Sequence, residues 1–524
     1  MPLHRVANLT ALHDDRPTPV QIGEETFVLL RSAERIYAYQ GQCPHAGAPL
    51  AKGALCNGRL VCPWHKAAFT IAGGELCEPP ALESLRRYPV EVRDGQVYLD
   101  DQPLPPADRP ASPQDNRLFV IIGAGAAGTA AASALRERGF AGRLLLIDPQ
   151  KSPGYDRTSL SKFVIAGEMA PAEVPMLKAE HFYTEQHIEQ MHAEVTRLNP
   201  GRQEIELSDG SLHHYDAALL ATGAHPKMLD VPGAHLHNVH LLRSRADAAD
   251  TLQSATPGGH AVIIGDSFIA LEAASALRKR GLKVTLIARH QVPFAKQFGT
   301  EIGRAIRLLH ESNGVVFRVD DEVIRLESEP GGDEEQVRTV RLASGEQLAA
   351  DLVLVGIGVS PTTGMLEDLS LAKDGAVNVD RHQLAAPGLW AVGDIARFPL
   401  ADEPTRIEHW RVAQQQARVA AQNMLGAQRS YEGVPFFWTQ HFGKRFDYLG
   451  HASDWQQTLI EGDLHQLRFI ALLCNDGRVA AIVACQQEAL MARLAERMRT
   501  ALPVEEALTL IREHMENDRD GGKA

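Results

Sequence analysis

Two short motifs, Cys43-Pro44-His45 and Cys62-Pro63-Trp64-His65, stand sixteen residues apart. Together they offer two thiols and two imidazoles from two loops. That is the ligand set of a [2Fe-2S] centre in which histidines replace cysteines on one of the irons. Neutral imidazoles leave such a cluster less negative than four thiolates would, so an added electron meets less repulsion and the reduction potential rises. The competing reading is a structural Cys2His2 zinc site. Zinc sites usually open with two cysteines spaced by two to four residues, and the single residue between Cys43 and His45 suits that poorly.

The flanking sequence must position these loops. Thr26–Leu30 and Arg35–Tyr39 are β-branched and aromatic runs with the pattern of a strand pair, and Ala68–Ile71, Pro89–Val92 and Gln96–Leu99 continue it. A small all-β module of this kind can present two ligand loops at one end, with the histidine edges near solvent where an electron partner reaches them. The module resembles a ferredoxin-type Rieske domain, including Gly73-Gly74 and the stretch from Pro80-Ala81-Leu82 to Tyr88-Pro89-Val90. The resemblance implies Cys43, His45, Cys62 and His65 as ligands. Respiratory Rieske proteins of high potential carry a disulfide between the two loops; the matching positions here are Ala48 and Trp64, which implies a lower-potential centre and leaves Cys56 a bystander. Lys66 stands where the family commonly has glycine. Prolines 103, 105, 106, 110 and 113 then mark a semi-rigid linker of up to roughly 40 Å, ample for a tethered electron carrier.

Beyond the linker, the apolar run Leu118–Ile122 ends at Gly123-Ala124-Gly125-Ala126-Ala127-Gly128, a helical stretch follows, and a second strand delivers Asp148 twenty residues after Gly128. Strand, glycines, helix, strand and acid form a dinucleotide site, in which the glycines admit a pyrophosphate to the helix N-terminus and the acid binds a ribose hydroxyl. Ala221-Thr222-Gly223 and the Gly393-Asp394 pair after Leu389–Val392 resemble the second half of the FAD site in two-dinucleotide flavoproteins, which implies FAD at Gly123, Gly125, Gly128 and Asp148, with Gly223 and Asp394 completing the site. Tyr155–Lys162 with Ala166-Gly167-Glu168 is similar to the flavin-lining segment of oxygenase-system ferredoxin reductases and apoptosis-inducing-factor-like proteins. By that likeness Arg157 touches FAD, and Lys162 sits near the flavin N5 edge, where a cation stabilises reduced flavin.

A second copy of the pattern runs from Ala261–Ile264 through Gly265-Asp266-Ser267-Phe268-Ile269-Ala270 to the strand Lys283–Ile287. Inserted between two halves of an FAD domain, it fits a nicotinamide-nucleotide site. The resemblance makes Glu272 the acid that pairs with Lys162, and Phe268 an aromatic that covers the flavin until nicotinamide displaces it. The acid expected at the strand end is replaced by Ala288-Arg289-His290. Arg289 is able to hold a 2′-phosphate, yet relatives without that acid also use NADH, so the choice between NADH and NADPH stays open, with a slight lean to NADH. Gly356 and Gly358 after Leu352–Val355 would let the nicotinamide approach the backbone. The acidic stretch from Glu327 to Gln336 reads as a solvated hairpin loop.

Arg406-Ile407-Glu408-His409-Trp410 before the helical run Val412–Leu425 matches the family's motif beside the flavin ring, so Glu408, His409 and Trp410 join the implied FAD residues. Pro435-Phe436-Phe437-Trp438 continues the likeness. Trp438 is a candidate to stack near isoalloxazine or nicotinamide, with a core position the equal alternative. The catalytic candidates are then Lys162, Glu272 and Trp438.

The expected architecture is multidomain: a small all-β Rieske domain (1–104), the linker (105–116), an α/β Rossmann-like FAD domain (117–240 and 365–411), an NAD(P)H domain (241–364) and an α+β C-terminal domain (412–524). The implied activity is that of an NAD(P)H-dependent, ferredoxin reductase-type flavoprotein that passes electrons through FAD to the [2Fe-2S] cluster. The acceptor is an unidentified protein or small molecule, an oxygenase or ferredoxin among the candidates, and the chain acts as a monomer or a homodimer. A redox-sensing protein with incidental turnover, or direct donation from FAD to an external ferredoxin or oxygenase, are the alternatives.

Composition agrees with this. A net charge of -13 argues against a phosphate-neutralising nucleic-acid binder. Six cysteines in 524 residues, four of them without disulfide-like spacing, and the absence of a long apolar run suit a soluble cytoplasmic protein without a membrane partner. No C-x-x-C follows the first glycine-rich helix, which speaks against thiol-disulfide reductase chemistry.

Overall fold

The computed structural model describes residues 3–105, 115–329, 335–401 and 403–521. Most of the expected linker and the tip of the acidic hairpin at 330–334 lie outside the described residues. The N-terminal module is built from antiparallel sheets, as alternating apolar residues and tight turns dictate. One pairs Thr18–Ile22, Glu25–Ser32, Arg35–Gln40 and Arg87–Tyr88; another pairs Ala54–Cys56, Arg59–Val61, Ala68–Thr70 and Leu76–Glu78. The two Cys/His loops project from the second sheet and its approach, around a core of Val28, Leu30, Tyr39, Leu60 and Phe69 that also buries Cys43 and Cys62.

Two parallel sheets follow, each buried on both faces, which is why their strands read as continuous Val, Ile and Leu runs. The first orders Ile188–Met191, Arg143–Ile147, Leu118–Ile122, Ala217–Leu220 and Leu389–Ala391 in parallel and adds Leu384–Ala386 antiparallel. The second orders Val239–His240, Leu352–Val355, His260–Ile264, Lys283–Ala288 and Val315–Val319, all parallel. Strand Leu389–Ala391 returns to the first sheet after the second is complete, so the first unit is discontinuous. A C-terminal antiparallel sheet, Phe436–His441, Lys444–Gly450, Arg478–Cys485, Arg468–Asn475 and Gln457–Asp463, is covered by the helices Glu488–Arg497 and Val504–Gly521.

Packing moves two of the expected boundaries. Helix Trp410–Met424 buries Ala413, Ala417, Ala420 and Ala421 against the helix Ala126–Glu137, and Val412 against the first sheet. It therefore belongs to the first nucleotide unit, although a division at 411/412 would have given it to the C-terminal domain. Likewise Leu229, Val231 and Leu236 pack on the second sheet's core, ahead of the division at 240/241. Among the described residues no helix is long and apolar enough to cross a membrane.

Candidate functional site

Both ligand loops close by the same backbone pattern. In the first, Cys43 N donates to Ala48 O and Gly47 N to Cys43 O; in the second, Cys62 N donates to Ala67 O and Lys66 N to Cys62 O. The amides of His45 and Ala46 lie near the Cys43 sulfur, and those of Trp64 and His65 near the Cys62 sulfur. Amides aimed at sulfur favour thiolate. The four donors fall into two pairs. Cys43 and Cys62 are buried together in one cluster, and the Nδ1 atoms of His45 and His65 face each other 3.0 Å apart. At imidazole-to-metal bonds of about 2.1 Å, two nitrogens so placed can hold one metal ion between them. A thiol pair beside an imidazole pair fits a two-iron cluster with sulfur ligands on one iron and nitrogen ligands on the other.

The histidine edge does not face open solvent, as had been expected. It is turned to the rest of the chain, where His65 is buried and its ring lies 4.1 Å, centroid to centroid, from that of Trp438. Lys66, fully buried, donates from Nζ to Asp447 at 2.9 Å and to Pro63 O at 2.5 Å. Arg445 donates to Asp447 at 2.7 Å and to Trp64 O, and its guanidinium stands 3.3 Å from His65 Nε2. Farther out, buried Arg411 donates to Pro79 O and Lys66 O, Gln415 and Arg499 bind Glu78, and Lys178 donates to Leu82 O. Ala492 of the C-terminal helix packs on Ala54, Val61 and Ala68. These contacts dock the module on the first nucleotide unit and the C-terminal sheet, so the tethered module is a seated one.

On the other side of Trp438 opens a cavity of about 280 Å³. It gathers Gly123, Gly125, Asp148, Arg157, Lys162, Gly223, Asp394, Glu408, His409, Trp410 and Trp438 from segments spread over more than three hundred residues. Gly128 is not on its wall. A side chain there would meet Gly123 O at 1.7 Å, so its role is the close approach of helix Ala126–Glu137 to the turn. A side chain on Gly125 would instead project into open space, the room a pyrophosphate needs at that helix N-terminus. Asp148 accepts from Ala124 N at 2.7 Å and Gln150 N at 2.8 Å, which fixes its carboxylate at the strand end.

The cavity's chemistry suits an anionic, aromatic ligand. Arg157 and Arg243 supply two cations; burial and the neighbouring Arg243 pull the Arg157 guanidinium below its usual range, and Arg243 is 3.3 Å from Asp394. Burial pushes the His409 imidazole down to about 3, so it stands neutral, and its Nδ1 and the Nε1 of Trp410 have no partner among the described residues. Buried polar atoms without partners at a cavity wall are what a bound flavin would satisfy. Lys162 donates to Glu272 at 3.0 Å, and Glu272 accepts also from Ser161 at 2.5 Å and Thr439 at 2.7 Å. His441, pushed to about 3 by burial and by Lys162, lies 3.0 Å from the Thr439 hydroxyl. The ammonium is thus held by an acid that is itself held on three sides.

A larger cleft of about 1350 Å³ adjoins. Gly265, Phe268, Arg289 and Gly358 line it, while Phe268, Glu408, His409 and Phe437 line both spaces. Phe268 stacks on Phe294 with centroids 4.1 Å apart and stands between the two spaces, lining both. Glu272 lines the first cavity only.

Sequence reasoning missed Thr158, Ser161, Thr222, Arg243 and Phe437 in the first cavity, Thr439 behind Glu272, and the docking residues Arg411, Arg445 and Asp447. Thr158, Ser161, Thr222, Phe437 and Thr439 stand in or directly beside segments that carry the family likeness but were not singled out there, whereas Arg243, Arg411, Arg445 and Asp447 stand outside any motif. The one available signal was Lys66 itself, a lysine at a turn position where glycine is usual.

Comparison with known proteins agrees with this geometry. Residues 118–417 match the pyridine nucleotide-disulphide oxidoreductase family model, and residues 3–89 match the Rieske [2Fe-2S] domain model. Apoptosis-inducing factor 3 of Mus musculus is 32% identical over 510 residues, covering 94% of this chain and 83% of the relative. The biphenyl dioxygenase system ferredoxin–NAD(+) reductase component of Paraburkholderia xenovorans (strain LB400) is 33% identical over 70% of this chain and 89% of its own length. Among solved structures, a chain of the covalent putidaredoxin reductase–putidaredoxin complex aligns with a TM-score of 0.71 at 28% identity, covering 75% of this chain and 95% of that one.

Proposed function

The chain belongs to the pyridine nucleotide-disulphide oxidoreductase family, and from that premise we propose that it is an NAD(P)H-dependent FAD oxidoreductase delivering electrons to a Rieske centre in its own N-terminal module. When bound, FAD accepts two electrons from a nicotinamide and releases them singly, and the cluster holds one at a time. The protein's part is placement and electrostatics. Gly123, Gly125 and the N-terminus of helix Ala126–Glu137 would receive the pyrophosphate, with Asp148 at the ribose and Arg157 and Arg243 balancing charge. Lys162, oriented by Glu272, offers a cation at the redox end of the cavity, and Phe268 keeps water from it until a nicotinamide enters from the adjoining cleft. Cys43, His45, Cys62 and His65 would hold the cluster.

The observation that carries the reading is the placement of Trp438, whose ring touches that of His65 and which also lines the first cavity. The same contact weighs against direct donation from FAD to an external ferredoxin, because the chain's own module covers that face. The acceptor takes electrons from the cluster, and relatives named as parts of dioxygenase systems favour an oxygenase or a further ferredoxin-type carrier. Anaerobic titration with NAD(P)H tests the proposal. Flavin absorbance falls first and cluster absorbance next; a cluster that stays oxidised beside fully reduced flavin overturns it. His45→Ser, which removes a ligand, abolishes acceptor reduction while nicotinamide still bleaches the flavin, whereas direct donation would leave acceptor reduction intact.

A further inference from the structure

The two nucleotide turns superpose in register but not in chemistry. Ile122 pairs with Ile147 in the first sheet and Ile264 with Ile287 in the second, which makes Ala288 the counterpart of Asp148, and Asp266 the counterpart of Ala124. In the first turn the strand-end acid accepts from the glycine-turn amide. In the second the arrangement is reversed. The acid sits in the glycine turn, where Asp266 accepts from His290 Nδ1 at 2.8 Å and His290 N at 3.2 Å. The strand end itself carries buried Ala288, which has no acceptor for a ribose hydroxyl.

The next residue, Arg289, points into the larger cleft with its side chain 78% exposed. The other acids lining that stretch are engaged: Asp320 accepts from Gln291, and Asp321 from the amides of Glu322 and Ser344. Glu322 alone faces Arg289, at 3.9 Å, with its own side chain 69% exposed. A pair so exposed and so long contributes almost nothing, and a dianionic phosphate, which a guanidinium binds through two parallel hydrogen bonds, displaces it readily. Lys296 also lines the cleft and adds a second positive charge to it.

We infer that this cleft selects the 2′-phosphorylated nicotinamide nucleotide, NADPH, over NADH, and that Arg289 is the residue that makes the choice. The inference rests on the proposed NAD(P)H-oxidising function and reverses the slight preference for NADH that relatives lacking the strand-end acid suggest.

The test is binding to the FAD-loaded protein, followed calorimetrically, with adenosine 2′,5′-bisphosphate and 5′-AMP as probes. The 2′-phosphorylated probe binds more tightly by about ten- to a hundred-fold, the range for charge-assisted hydrogen bonds. Arg289→Ala removes most of that difference and leaves 5′-AMP binding in place, Arg289→Lys restores part of it, and Glu322→Gln widens it. In turnover, the ratio of kcat/KM for NADPH to that for NADH exceeds one in the native protein and falls in Arg289→Ala. Equal binding of the two probes, or an Arg289→Ala variant that weakens both alike, overturns the inference. Flavin bleached more efficiently by NADH than by NADPH also overturns it while leaving the proposed function standing. Flavin that neither nucleotide bleaches removes the function and the inference together.

Discussion

The two ligand loops of the N-terminal module are chemical counterparts with different mechanical fates. Each bends through a left-handed residue whose amide returns to its cysteine carbonyl. In the first loop that residue is Gly47, at φ +74° and exposed; in the second it is Lys66, at φ +62° and fully buried. A side chain in this region costs about 1–2 kcal/mol, and glycine avoids the cost. The second loop bears it because the lysine side chain crosses to Asp447 in the C-terminal sheet. One loop is built only to hold its ligands. The other also anchors the module, and it is the anchored loop whose histidine lies against Trp438.

The contrast can be broken in graded steps. The largest effect is expected from Lys66→Met, which takes one of two cations from buried Asp447 and leaves Arg445 as the other, and should reduce the free energy of module opening by about 3 kcal/mol, read by hydrogen exchange of the module's amides. Lys66→Gly should lose about 1 kcal/mol less, because it relieves the backbone while removing the same charge. Arg445→Leu comes next, at about 1.5–3 kcal/mol, since Arg445 ties Asp447 to Trp64 O; a loss confined to the second loop's amides would bear out the asymmetry, and an equal loss in both loops would refute it. Gly47→Ala should cost only about 1 kcal/mol and leave docking unchanged.

A gentler handle is pH. Burial alone would raise the Glu78 carboxyl, yet Arg411, Gln415 and Arg499 outweigh it and hold the group below its usual 4.5. A depressed acid contributes its full share above the unfolded value and loses it as pH falls through the folded one. Module protection should therefore be flat from neutral pH down to about 4.5, where Glu78's contribution starts to fade, and decline below it. Glu78→Gln should lower the plateau and flatten the decline.

The same contrast explains what the sequence could reveal. Cys43, His45, Cys62 and His65 are legible because a metal ion fixes both residue type and local spacing, and the glycine turn before Asp148 is legible because a pyrophosphate and a helix N-terminus do the same. Gly128 is legible for a related reason, although it serves packing and lies off the cavity wall. Lys66 and Asp447 are 381 residues apart, and nothing in either neighbourhood announces the other. Arg243 also acts from outside any motif. The proline-rich stretch after residue 102 suggested a tether because composition reports stiffness and reach; whether a module stays seated is decided by complementary groups on two distant surfaces. Trp438 looked equally like a core residue for the same reason, since only its neighbours distinguish the two roles.

The seated module has a kinetic consequence. A carrier that must find its reductase by diffusion shows a rate that rises with carrier concentration and changes with ionic strength, as screening alters the encounter. Here donor and acceptor sites share one chain, and the groups that align them, Lys66 with Asp447, are shielded from salt by burial. On the proposed relay the transfer between them would be first order, keeping one half-time on dilution and in added salt.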